Sequence, residues 1–174
     1  MSTVDEDVKK VQAQERAFEK ILSYLPGYSG YKQKEIRRET DRLVRQACSS
    51  NIKKSIDAIR APLASLQLEE GDRIFIDNLL ARVDMIHQKV DRATAGYSGF
   101  FDVVKVDEGK LDGVLANDKQ LLDATNSLVN LARPLMESQQ DLGAYKARTK
   151  MIADQLQVVE SSFETRIRLL SNME

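Results

Sequence analysis

The sequence predicts an all-α chain: an elongated antiparallel bundle of four or five long amphipathic helices, partly coiled-coil-like. Three observations carry this expectation. Only three prolines and eight glycines interrupt 174 residues, so few points force the backbone out of a helix. Between those points apolar residues return every three or four positions, the period of one helix face. Period-two alternation, the mark of a half-buried strand, is confined to the stretch around Phe101–Val106. The stripes offer one or two apolar residues per turn, close to a coiled-coil seam. The length points to a single domain over residues 1–174.

The first helix is expected over about 4–25. Val4, Val8, Val11, Phe18 and Leu22 make its stripe, Glu15 interrupts it, and Pro26-Gly27 ends it. Packing of this stripe onto the core is favoured over a membrane surface, because Asp and Glu share the segment with its Lys and Arg. The second helix is expected over 32–68, kinked or divided near Pro62. Its stripe reads as two runs out of step: Ile36, Thr40, Leu43, Ala47, then Ile52, Ile56, Ile59, Leu63, Leu66. The third is expected over 72–95, with Asp72 as N-cap and Leu79, Val83, Ile86 and Val90 buried. Phe100–Val106 reads as an extended crossing or a short turn. Asp107 is the expected N-cap of a fourth helix over 107–133, ended or kinked by Pro134, and the fifth is expected over 137–172. Short connections predict antiparallel sequence neighbours.

Composition narrows function. One His, one Cys and no Trp leave little catalytic equipment, and the chain is expected not to be an enzyme and to need no cofactor. A net charge of −1 and a pI near 6.0 make nucleic acid an unlikely dedicated partner. A single cysteine makes no internal disulfide. With an acidic start and no apolar run of membrane-spanning length, the expected location is cytoplasmic.

Charge is unevenly spread. Lys32–Arg60 holds nine basic and four acidic residues, whereas Asp102–Asp123 holds six acidic and three basic. Lys32, Lys34, Arg37, Arg38, Arg42 and Arg45, beside Tyr28 and Tyr31, form the candidate partner or anion-binding face. The alternative is a solvated face with internal pairs such as Arg37–Asp41 and Asp41–Arg45.

The tetrapeptide Gly-Tyr-Ser-Gly occurs twice, at Gly27–Gly30 and Gly96–Gly99. Each copy reads as a tight turn, with the glycines supplying backbone freedom. Neither is a phosphate loop or a Gly-x-Ser-x-Gly elbow. Asp84, His87 and Asp91 share one helix face and are the candidate metal ligands, but a di-iron bundle needs two carboxylate-x-x-His motifs and further Glu residues. A boundary histidine paired with Asp84 or Asp91 is the simpler reading. Cys48 reads as a small buried hydrophobe.

The run Leu25–Arg42, with Pro26-Gly27-Tyr28-Ser29-Gly30-Tyr31-Lys32 leading into a Lys/Arg/Glu-rich helix, resembles an uncharacterised prokaryotic helical family. The resemblance covers about 20 residues and extends more weakly to Gly99–Asp112. It implies a helical cytoplasmic protein and brings no activity or ligand. The reading that results is a non-enzymatic interaction or scaffold protein, self-associating or binding a protein partner. The alternatives are a peripheral protein on anionic membranes and a nucleic-acid accessory protein.

Overall fold

A computed structural model describes residues 33–93, 108–137 and 141–171. The expected helix over 4–25, the stretch 97–106 and the Asp107 cap lie outside the described residues. Among those described, every regular element is a helix: α1 Gln33–Arg60, α2 Glu70–Arg92, α3 Glu108–Ala132, α4 Pro134–Glu137 and α5 Leu142–Ser171.

Pro62 ends α1 rather than kinking it. Proline has no N–H to donate and crowds the preceding turn. The last helical bond runs from Ala61 N to the Asp57 carbonyl, and tight turns follow at Leu63 and Ser65. Leu63, Leu66 and Leu68 still pack against the core from this irregular stretch.

Asp72 is not the N-cap of α2. The helix begins at Glu70, and Glu69 occupies the cap position without a side-chain hydrogen bond. Glu70 and Asp72 instead place acidic groups in the first turn, where the helix dipole favours negative charge. Pro134 divides the chain: Arg133 N closes α3 on the Val129 carbonyl, and Pro134 opens the short α4 as its first residue. The last helix then starts at Leu142, later than expected.

The buried rows follow a 3-4 repeat. On α5 they are Tyr145, Thr149, Ile152, Leu156, Val159, Phe163 and Arg166. On α3, Val114, Asp118, Leu121, Thr125, Leu128 and Ala132 follow the same repeat, continued by Leu135 on α4. On α2 the row is Ile76, Leu79, Val83, Ile86 and Val90. The expected shift of stripe in α1 is absent: Val44 and Cys48 are fully buried in line with Ile52, Ile56 and Ile59. Leu43 and Ala47 are only half-buried.

Cross-helix bonds fix the directions. Arg45 meets Ala93 while Ser49 meets His87 and Asp91, so α1 and α2 are antiparallel. Asn117 meets Ser162, Gln155 meets Ala124 and Arg148 meets Leu131, so α3 and α5 are antiparallel too. Lys146–Asp72 and Arg82–Glu160 show α2 and α5 running parallel, and it follows that α1 and α3 are parallel. The main packing pairs are α3 with α5, α1 with α3 and α1 with α2. The consecutive helices α2 and α3 are not a packing pair, contrary to the expectation from short connections. Residues 94–107 between them make a long connection, and long connections permit crossovers.

Packing between α2 and α5 is slight, and two ion pairs flank it. Arg82 holds Glu160 through Nη2–Oε2 at 2.8 Å and Nε–Oε1 at 3.3 Å. Lys146 Nζ lies 2.7 Å from Asp72 Oδ2, an ion pair without good hydrogen-bond angles.

Tyr145 ties α5 to the end of α1. Its hydroxyl donates to the Ile59 carbonyl at 2.9 Å, one of the carbonyls that a helix end leaves without an intrahelical partner. Tyr145→Phe should therefore lower stability by about 1–3 kcal/mol, the desolvation cost of a stranded buried carbonyl. Chemical denaturation checks this, and a neutral result would mean that water replaces the hydroxyl.

Candidate functional site

The basic stretch divides in the structure. Tyr28, Tyr31, Lys32, Gly27, Gly30, Gly96 and Gly99 lie outside the described residues. Lys34, Arg37 and Arg38 are carried by the first turns of α1. Arg42 is exposed and reaches Gln46 Oε1 at 3.4 Å, one helical turn on. Arg45 is half-buried and has structural work: its Nη1 donates to the Ala93 carbonyl at 2.6 Å. Ala93 is the C-cap of α2, so this guanidinium satisfies an end carbonyl and sits where the dipole favours a cation.

That contact also marks where α2 stops. From Gln33 to Val44, α1 continues for about 12 residues, roughly 18 Å, past the end of α2. This is the stretch in which the candidate basic residues are concentrated. α3 accompanies α1 along it and α5 does so as far as about Arg38, because Asn51 pairs with Asn126 and Asp118 with Arg166 and α5 ends at Ser171.

The metal candidates are drawn into other bonds. Ser49 Oγ donates to Asp91 Oδ1 at 3.2 Å. With its proton given there, the same oxygen accepts from His87 Nε2, also at 3.2 Å. The serine thus stands between the imidazole and the carboxylate and staples α1 to α2. This differs from a nucleophile relay, in which histidine stands between serine and carboxylate. Asp84 accepts from Gln88 Nε2 at 2.7 Å. Among the described residues there is no group of three or more His, Cys, Asp or Glu able to hold a metal ion.

Sequence reasoning missed the most unusual polar group, which lies inside the core. Arg166 Nε donates to Asp118 Oδ1 at 2.7 Å, with the two side chains 1% and 2% exposed. Asn117 donates to the Ser162 carbonyl, while its own Oδ1 is buried without a partner. Cys48 from α1 lies nearby, touched by the Thr125 hydroxyl and within the field of the ion pair. A signal was present: Asp118 falls four residues after Val114 and three before Leu121, and Arg166 three after Phe163. Both occupy positions that the 3-4 pattern assigns to the core.

Burial dominates the titration of two groups here. It pushes the Cys48 thiol from 9.0 up to about 12, partly opposed by the Thr125 contact. It pushes the Tyr145 hydroxyl from 10.0 up to about 12. Both raised values favour the protonated form in the folded chain. Their contribution is therefore complete below about pH 9, the ordinary thiol value, and is lost as pH rises through about 12. A falling denaturation midpoint between pH 9 and pH 12, shallower in Cys48→Ala, is the expected result. An identical slope in that variant would show that the thiol contributes nothing.

Among the described residues no helix is long and apolar enough to cross a membrane. Comparison with known proteins finds no matching family model, no matching curated protein and no matching solved structure.

Proposed function

We propose that the chain is a non-enzymatic, cytoplasmic helical interaction protein. In this reading it is an elongated bundle with coiled-coil-like seams that binds a protein partner or a second copy of itself. The contact surface is the basic start of α1, with Lys34, Arg37, Arg38 and Arg42, together with Tyr28 and Tyr31, which precede it in the sequence. The observation that carries the proposal is the length of α1 beyond α2: the stretch that bears Lys34, Arg37, Arg38 and Arg42 is the part that α2 does not accompany. The 3-4 spacing of the buried rows on α2, α3 and α5 supports the seam reading. Polar groups elsewhere are engaged in holding helices together, as Ser49, Tyr145 and Arg166 are.

The test is an affinity isolation with the wild type and with Arg37→Glu/Arg38→Glu, side by side, and light scattering on both. A partner or oligomer held by the wild type and released by the variant is the expected result. A monodisperse monomer whose variant keeps every partner would end the proposal.

The same concentration of positive charge suits an anionic membrane surface, the second reading. Flotation with anionic liposomes at low salt, where screening is weakest, separates the two.

A further inference from the structure

We propose that the outer face of α2 pairs with α2 of a second copy as a parallel, two-stranded coiled coil. This rests on the interaction reading above and deepens it: the second copy takes α2, which leaves the basic start of α1 to a protein partner.

α2 carries two rows at 3-4 spacing. One is the buried row from Ile76 to Val90. The other is Ile74, Asn78, Ala81, Met85 and Gln88, all exposed and about half a turn round the helix from the first. Ile74 and Met85 are 55% and 48% exposed. The same count on α1 gives only polar residues: Gln46, Ser50, Lys53, Asp57 and Arg60. The outer row of α2 therefore has the period and part of the apolar content of a second seam.

Its flanks select the occupant. Asp77 and Asp84 lie on one side of the row, Arg82 and Lys89 on the other. In a parallel pair in register, each flank meets the opposite flank of the second copy five residues on. Asp77 then faces Arg82 and Asp84 faces Lys89, and twofold symmetry repeats both pairs. Arg82 gives Nε and Nη2 to Glu160, and its guanidinium has a third nitrogen to offer. In an antiparallel pair each flank meets itself, so Asp faces Asp and cation faces cation. Asn78 points the same way. It stands at a core position of the seam, where a single Asn fixes register in parallel dimers by bonding to its symmetry mate.

The exposed Met151 and Val158 on α5 make no such match. Asp154 stands between them, and their flanks pair Lys150 with Gln155 and Gln157 with Ser162, without opposite charges. Parallel pairing through α2 also has a consequence for the basic surface. Arg45 meets the last turn of α2 at Ala93, so the two copies present their basic α1 starts at the same end of the dimer.

Analytical ultracentrifugation of the full chain reads the association. The wild type should dimerise reversibly with a dissociation constant on the order of micromolar, since only about two heptads carry the seam. Asp84→Lys and Lys89→Glu each set like charges across the seam twice and should each weaken the dimer roughly tenfold. Mixed in equal amounts, the two variants restore opposite charges and should recover wild-type affinity. A chain that stays monomeric at every concentration overturns the proposal, as does a dimer that neither variant weakens or that the mixture does not restore. Gln88→Cys under mild oxidation reads the direction, with Cys48 buried away from the reaction. The two copies of residue 88 meet only in parallel pairing, so a disulfide-linked dimer should form roughly tenfold faster than with Arg73→Cys, exposed but off the row. Equal rates overturn the proposal, as does a mixture in which Gln88→Cys links instead to Ile74→Cys, the antiparallel result. If a charge variant does not fold, Gln88→Cys reads the same seam. Failure here leaves the partner reading standing, since that reading is tested at Arg37 and Arg38.

Discussion

Arg166→Met should destabilise the fold by about 3–5 kcal/mol, because it removes one member of a buried ion pair and leaves the Asp118 carboxylate in the core without that charge. The two side chains are almost wholly buried and 2.7 Å apart. Removing the guanidinium takes a charge partner from a carboxylate that has almost no access to water, and the loss favours its protonated form. The double replacement Asp118→Leu with Arg166→Met is expected to recover most of the loss, and it could exceed the wild type, since apolar packing often equals a buried ion pair. What the double variant loses is a constraint on register. Both residues stand at seam positions, where a polar pair fixes which turn of α3 faces which turn of α5. Urea denaturation of the three proteins measures the energies. A loss below about 1 kcal/mol in the single variant would mean that the pair is hydrated and contributes as a surface pair does.

Phe163→Ala should cost about 3–5 kcal/mol by leaving a cavity that the surrounding helices fill only in part. Phe163 is 2% exposed and lies one turn before Arg166 in the buried row of α5. Met151→Ala on the same helix, 53% exposed, should change stability by less than about 0.5 kcal/mol. The contrast tests whether the 3-4 row, rather than the apolar content of α5, holds the helix in place. Similar losses at the two sites would mean that α5 buries a second face.

The all-α class was legible because periodicity reports burial directly. The apolar positions expected on α2, Leu79, Val83, Ile86 and Val90, are buried in the structure. Element ends were less legible. Pro62 reads as a break, but whether a proline bends or ends a helix depends on what packs beyond it, and Leu63 and Leu66 pack without helix. Asp72 has the chemistry of a cap, yet the ion pair with Lys146 and the dipole of the first turn engage it differently. The order of helices around the core was hidden, because no local pattern encodes a crossover between α2 and α3.

The candidate site was legible as a concentration of charge and no further. Arg45 reads as one more surface cation, but only the tertiary structure shows that it caps α2 through Ala93. Asp84, His87 and Asp91 share a helix face as the spacing predicts, yet Ser49 from α1 decides what His87 and Asp91 touch. Asp118 and Arg166 are charged residues on apolar rows, and charge in a sequence points to the surface unless the row position outweighs it.

The lone thiol has a consequence for kinetics. Residues 33–92 and 108–171 form two helical hairpins, and Cys48 of the first meets Thr125 of the second across the α1–α3 contact. A thiol reagent reaches this sulfur only when the hairpins part or the chain unfolds. Labelling rates across a denaturant series therefore time the separation of two cooperative units, as amide exchange does for backbone opening. Labelling that proves faster than global unfolding would identify the hairpins as independent foldons and their junction as the weakest plane of the molecule.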